Sequence, residues 1–175
     1  LEAGGSMFAH GSYPLLPIIT LLGTDFDNLN MYTRIKDGID MYAKGVFKYT
    51  NAVSTFKVGL GVKTEGNLVI SGTRGYAYVP APWWKTDYFE LRYENQNDNK
   101  KFFYKWDGHG LRYEIQEFIS CIVNHRFSSA RLRRRESICM AEIMESFKTW
   151  IDMTNGLLEV PIVDNNLSNT SFFKI

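Results

Sequence analysis

Two groups of side chains in this sequence are of types that could meet a ligand. The first is His10 and Tyr13, in Ala9-His10-Gly11-Ser12-Tyr13-Pro14. A tyrosine hydroxyl can hydrogen-bond a ligand or share a proton with it, and an imidazole can take one up. The plainer readings are an amphipathic aromatic at a helix start, its hydroxyl satisfied by backbone, and a local polar contact for the histidine. The second group is Trp83-Trp84-Lys85, which follows Pro80-Ala81-Pro82. Proline restricts such a loop, so the indoles are held at low entropic cost. They could stack on a sugar-like ring with Lys85 on a polar group, or simply close one end of a sheet.

Other chemistries find no support. The sequence has no glycine-rich loop after a strand, no phosphate-binding GxxxxGK[ST] and no GxSxG. His10, His109 and His125 lack metal-ligand spacing, and Glu114 and Glu117 do not form a zinc-binding helix pair. Glu114 near a helix start is accounted for by the helix dipole. Cys121 and Cys139 fall in helical stretches and read as structural thiols. Two cysteines make neither a disulfide framework nor a CxxC site, and a reduced cytoplasmic setting is the expectation. The run Arg131-Leu132-Arg133-Arg134-Arg135 could bind an anion, but it reads more simply as a solvated loop partnered by Glu136, Glu142 and Glu145. With 20 Lys and Arg against 19 Asp and Glu, no net field steers the chain to nucleic acid or an anionic membrane. No apolar run is long enough to cross a bilayer as a helix.

The elements that must position these groups follow from periodicity. At 45% hydrophobic and 22% charged residues, the 175-residue chain can bury a core and is not disordered. Leu15, Ile18, Ile19 and Leu22 sit at helical spacing and predict a helix over Tyr13–Gly23, with Pro17 tolerable only in its first turn. The period then becomes two. Leu29–Ile35, Met41–Tyr49 and Ala52–Val62 read as strands with one buried face, Met41 sharing that face with Ala43, Phe47 and Tyr49. Asn67–Ser71, Gly75–Val79, Tyr88–Glu94 and Lys101–Trp106 add four more, linked by turns too short for crossovers. A helix starts near Gly110 and another runs from about Arg135 to Asp152, stopped by Asn155-Gly156. The expected fold is α+β: an open-faced, largely antiparallel sheet of about seven strands with helices on one face. Residues 1–155 would form this domain and 156–175 an extended tail.

Three stretches carry a family resemblance. They are Gly4-Gly5-Ser6-Met7-Phe8-Ala9-His10-Gly11-Ser12-Tyr13-Pro14-Leu15, then Ile70-Ser71-Gly72-Thr73-Arg74-Gly75-Tyr76, and then Gly108-His109-Gly110-Leu111-Arg112-Tyr113-Glu114-Ile115-Gln116-Glu117-Phe118. In order and spacing they resemble the C-terminal domain of the Gfo/Idh/MocA family of NAD(P)-dependent oxidoreductases, nearest its dihydrodiol-dehydrogenase-like branch. Leu1-Glu2-Ala3-Gly4-Gly5-Ser6 alone could be a vector scar, but the resemblance implies a start just inside a longer protein.

That resemblance implies a role in substrate binding and oligomerisation for a sugar or cyclic polyol oxidoreductase. Tyr13, His10, Trp83, Trp84 and Lys85 would face substrate, with the indoles near substrate or the nicotinamide edge. NAD or NADP would be held by an N-terminal Rossmann domain that this chain lacks. The chain alone would bind no cofactor or metal and would not be catalytic. A departure stands at Ala9, where the family motif usually carries an acid. Alanine cannot relay a proton, so the alternative reading is a non-catalytic ligand-binding or structural module. A homodimer or higher oligomer through the open sheet face is expected on a separate ground. Strands such as Tyr88–Glu94 carry large apolar groups on both faces, whereas a half-solvated sheet should be polar on one.

Overall fold

A computed structural model describes residues 4–105 and 107–154. The Asn155-Gly156 stop, the tail from 156, and Trp106 lie outside the described residues. The chain forms two compact units, one of residues up to Lys63 with those from Ser128 onward, the other Thr64–Phe127.

The first unit contains α1 (Gly5–His10), α2 (Ser12–Leu22), β1 (Asn28–Lys36), β2 (Ile39–Tyr49), β3 (Ala52–Gly59) and, after the second unit's segment, a long helix Arg134–Thr154. The three strands pair antiparallel in the order β1-β2-β3. Asp37 and Gly38 join β1 to β2, both with positive φ (54° and 74°). A two-residue turn of that hand matches the twist of the strands it connects. Helix α2 begins one residue before the predicted helix and ends at Leu22. Pro17 lies in its second turn rather than its first. The mean cost of an interior proline, about 3 kcal/mol, is met here by burial of Leu15, Ile18 and Ile19 on the same helix. Helix α1 was not anticipated by the hydrophobic pattern.

One face of this sheet, with α1, α2 and the long helix, makes the core. Leu29 and Met31 from β1, Ala43, Phe47 and Tyr49 from β2, and Phe56 and Val58 from β3 meet Ile143 and Phe147 of the long helix. Phe26 packs edge-on to Phe47 with ring centroids 5.0 Å apart. The period-two expectation holds along β2 from Ala43 to Tyr49, but it breaks before that. Arg34 pairs with Tyr42 and Ile35 with Asp40, leaving Met41 as an extra residue. Such a bulge reverses which side chains face inward. Met41 is therefore only half-buried, not a core residue, and Asp40 turns inward to 2% exposure.

The second unit contains β4 (Leu68–Gly72), β5 (Gly75–Val79), β6 (Tyr88–Tyr93), β7 (Lys100–Phe103) and α3 (Leu111–Val123); the long helix is accordingly α4. Its four strands pair antiparallel in sequence order. The seven antiparallel strands expected are thus present among the described residues, in an α+β arrangement, with hydrogen bonding that divides them into sheets of three and four. Backbone pairing stops at β3 and resumes at β4, a boundary that alternation within each strand does not mark.

Tyr49 is buried, and its hydroxyl donates to the Gly23 carbonyl at 2.9 Å. Burial first, then the nearby Cys139 and Asp25, push its pKa up to about 12. Cys139 is pushed up to about 11, chiefly by burial and then by Glu142. A phenol whose folded pKa exceeds its unfolded value adds stability below the unfolded pKa and loses it as pH rises through the folded one. Stability should therefore fall between about pH 10 and about pH 12, and Tyr49→Phe should flatten that fall in urea unfolding followed across the alkaline range. Phe47→Ala, at a fully buried ring, should cost about 3–5 kcal/mol in the same assay. Val53→Ala, at an exposed β3 position, should change stability by less than about 0.5 kcal/mol.

Candidate functional site

His10 closes α1 and Tyr13 lies in the first turn of α2, so the corner between these helices presents both. Their ring centroids are 6.5 Å apart, tilted by 58°. Both are exposed, Tyr13 at 47%. Gly11 makes the corner possible. Its N–H donates to the Met7 carbonyl at 2.7 Å, and a Cβ there would run into that carbonyl and the Met7 sulfur. Ala9 is half-buried on the same helix.

The other end of α1 is held from β2. Asp40 Oδ2 accepts hydrogen bonds from Ser6 Oγ at 2.6 Å and from the Met7 N–H at 2.7 Å. Gly5 has φ 88°, and a Cβ on it would overlap Asp40 Oδ1. Glycine is needed here on both counts. Asp40 was missed in the sequence because the bulge at Met41 places it on the inner face against the alternation. The Asp37-Gly38 turn beside it was the available signal.

In the second unit, Trp83 and Trp84 pack edge to face with centroids 6.0 Å apart. The Trp83 N–H donates to the Gly66 carbonyl at 3.0 Å, and the Lys85 N–H to the Pro82 carbonyl at 2.8 Å. The first bond ties the loop to the segment before β4 and the second closes a turn, so adjacent indoles and Lys85 share one turn. Trp83 is half-buried, while Trp84 and Lys85 are exposed. The structure therefore brings His10 and Tyr13 together in one unit, and Trp83, Trp84 and Lys85 in the other.

The four-stranded sheet carries a lattice of cations and rings. The Arg92 guanidinium lies 4.5 Å from the Tyr78 ring centroid, and Lys101 Nζ lies 3.5 Å from that of Tyr88. Glu90 stands between them, 2.6 Å from Arg92 and 3.7 Å from Lys101. The hydrogen bond from Arg92, followed by the charges of both cations, holds the Glu90 carboxyl below its usual range. Phe89 stacks on Phe102 and Tyr104 at 5.0 and 5.9 Å, while Tyr88 meets Phe103 at 5.8 Å. Cross-strand register sets these two groups on opposite faces.

The remaining groups read as structure. Cys139 is held as a neutral thiol by its raised pKa, which disfavours a nucleophile. In the arginine run, the Arg133 N–H donates to Glu136 at 2.6 Å and Arg135 pairs with Asp25. Among the described residues no group of three or more His, Cys, Asp or Glu side chains could hold a metal ion, and no helix is long and apolar enough to cross a membrane.

No protein-family model matches the chain. A trans-1,2-dihydrobenzene-1,2-diol dehydrogenase from Oryctolagus cuniculus is 27% identical over 162 residues, covering 87% of this chain and 49% of that enzyme. Among solved structures, a 3-ketoreductase from Actinomadura kijaniata, in complex with TDP-benzene and NADP, superposes with a TM-score of 0.67. Its identity is 13%, over 81% of this chain and 46% of that one. A UDP-N-acetylglucosamine 3-dehydrogenase from Acidithiobacillus ferrooxidans gives a TM-score of 0.61 at 14% identity, over 79% and 45%. The chain spans about half the length of each of these relatives. Likeness at 13–14% identity establishes the fold; the diol dehydrogenase adds likeness in sequence. Sequence and fold thus agree with the resemblance to a Gfo/Idh/MocA-type oxidoreductase domain carried by the three glycine-containing motifs.

Proposed function

We propose that this chain is the substrate-binding and oligomerisation domain of an NAD- or NADP-dependent oxidoreductase that acts on a sugar or cyclic polyol derivative in a reduced, cytoplasmic setting. The observation that carries this reading is the match of 87% of the chain to about half of a diol dehydrogenase. A fold neighbour that is a UDP-N-acetylglucosamine 3-dehydrogenase, with another that is a 3-ketoreductase bound to TDP-benzene, favours a polyhydroxylated ring as substrate.

In this reading Tyr13 offers its hydroxyl to a substrate oxygen, and His10 beside it takes or returns the proton. Trp83 and Trp84 supply flat apolar faces suited to the C–H face of a ring, with Lys85 at its polar edge. A nicotinamide dinucleotide would supply hydride transfer when bound, but the described residues of this chain do not fit its pyrophosphate. Glycine-rich phosphate sites offer free backbone N–H groups at a helix start. At α1 that place is filled by the Asp40 carboxylate, which already takes the Met7 N–H and would repel phosphate. The cofactor is assigned to a Rossmann domain of a longer parent protein, which would be this domain's partner. The proton route through Tyr13 and His10 compensates for the missing acid at Ala9. The alternative, a non-catalytic module, rests on that same alanine.

In a parent protein that carries this chain, Tyr13→Phe should reduce NAD(P)-linked turnover of a cyclic trans-diol or a nucleotide-linked keto sugar by about tenfold or more. Its melting temperature should stay within a few degrees of wild type. Unchanged turnover in the folded variant would return Tyr13 to a structural role, and no turnover in the unaltered parent would favour the non-catalytic module.

Oligomerisation is proposed from the four-stranded sheet. Phe103 and Tyr104 are about two-thirds exposed, and Val69 and Ile70 are also exposed, so large apolar groups meet solvent on both faces. A second copy packed face to face is the simplest closed arrangement. Light scattering at tens of micromolar should give the mass of a dimer or larger, and Phe103→Glu should lower it toward one chain with the circular dichroism unchanged. A monomeric wild type would overturn the claim.

A further inference from the structure

We infer that Asp40 is a positioning residue for the His10–Tyr13 pair, acting through helix α1; the inference rests on the reading of that pair as ligand-facing. Asp40 cannot touch a ligand itself, being 2% exposed. What it touches is the start of α1, through Ser6 Oγ, the Met7 N–H and the bare Cα of Gly5. Six residues are too few for a helix to hold itself in water, since nucleation is costly and few bonds follow. The geometry of α1 is therefore imposed from outside, by Met7 buried in the core and by contacts at its two ends. Asp40 clamps the start, and the Gly11–Met7 contact clamps the corner where His10 meets α2. At about 1.5 Å rise per residue, His10 stands roughly 6 Å along the axis from Ser6, so a tilt of the clamped end swings His10 relative to Tyr13.

The carboxylate is suited to this task in a way a neutral side chain is not. One of its oxygens accepts two donors while the other lies flush against Gly5. An asparagine that turned its NH2 group to those two groups could donate to Ser6 Oγ but would leave the Met7 N–H without an acceptor, and one that kept its oxygen there would press the NH2 group against the bare Cα of Gly5. The only titratable side chains on α1 and α2 are His10 and Tyr13, so holding these two in register is what the clamp can contribute to chemistry.

The experiment uses NMR on the chain itself, with hydrogen exchange at Met7 and cross-relaxation between the His10 and Tyr13 rings as readouts. Asp40→Asn should speed Met7 exchange at least tenfold, abolish the ring-to-ring signal and shift the His10 resonances, while Phe47 and Phe56 signals stay in place. Gly5→Ala, which pushes on the same carboxylate, should displace the His10 resonances in the same way. Should Asp40→Asn fail to fold, Ser6→Ala removes one of the two donors and should give a partial shift. Loss of Met7 protection with the His10 and Tyr13 signals unchanged would overturn the proposal, as would an unshifted His10 in Ser6→Ala. The functional reading fails separately: Tyr13→Phe with wild-type turnover in the parent would remove the site while leaving the clamp intact.

Discussion

Asp40 ties the turn between β1 and β2 to the start of α1, and the exposed His10–Tyr13 corner depends on that tie. Charge-assisted hydrogen bonds contribute about 1.5–3 kcal/mol each, and Asp40 makes two, at 2.6 and 2.7 Å. A helix of six residues has no comparable stabilisation of its own. Leaving the carboxylate buried without its donors would cost several kcal/mol, so the clamp and the helix stand or fall together. The bulge at Met41 is the backbone feature that makes the interaction available, because it alone turns Asp40 inward.

The two units solve burial differently. In the first, a three-stranded sheet has one face filled by Leu29, Phe47, Phe56 and their helical partners, and the aromatic cluster of Phe26, Phe47 and Tyr49 sits at its centre. In the second, rings and aliphatic groups occur on both faces of the sheet, and α3 leaves Leu111, Phe118 and Ile122 more than half exposed. Glu90 nonetheless stands between Arg92 and Lys101, with each cation over a tyrosine ring. Pairing of this kind lowers the cost of desolvating these three groups relative to leaving them unpaired.

In the proposed reading this domain orients the substrate, and hydride transfer belongs to the cofactor. Tyr13 and His10 sit where two short helices meet, and the Trp83–Trp84 turn is braced by the Gly66 and Pro82 carbonyls. His10, Tyr13, Trp84 and Lys85 are exposed and Trp83 is half-buried, an arrangement that would suit the proposed recognition of a ring bearing hydroxyls. The Asp40 carboxylate fills the helix start that an anionic ligand would otherwise use. That is why the proposed cofactor is assigned to a partner domain rather than to these residues.

The period of two along β1–β3, and the shorter alternations of β4–β7, determined seven antiparallel strands and an α+β class directly, because half-buried strands must alternate. Helical stripes likewise determined α2, α3 and α4 to within a residue or so at the described ends. His10, Tyr13, Trp83, Trp84 and Lys85 were legible as residue types, and the three glycine-containing motifs as an oxidoreductase pattern. Tertiary structure alone decided three things. The strands divide into sheets of three and four, because which strand pairs with which depends on backbone hydrogen bonds between segments and not on the pattern within one. Helix α1 is held by long-range contacts, its Met7 N–H donating to Asp40, 33 residues further along the chain, and its Met7 side chain buried in the core; six residues of mixed character carry no helical stripe. Asp40 itself could not be seen to be buried, because a single extra residue at Met41 reverses the inward face, and only the register of the folded hairpin reveals it.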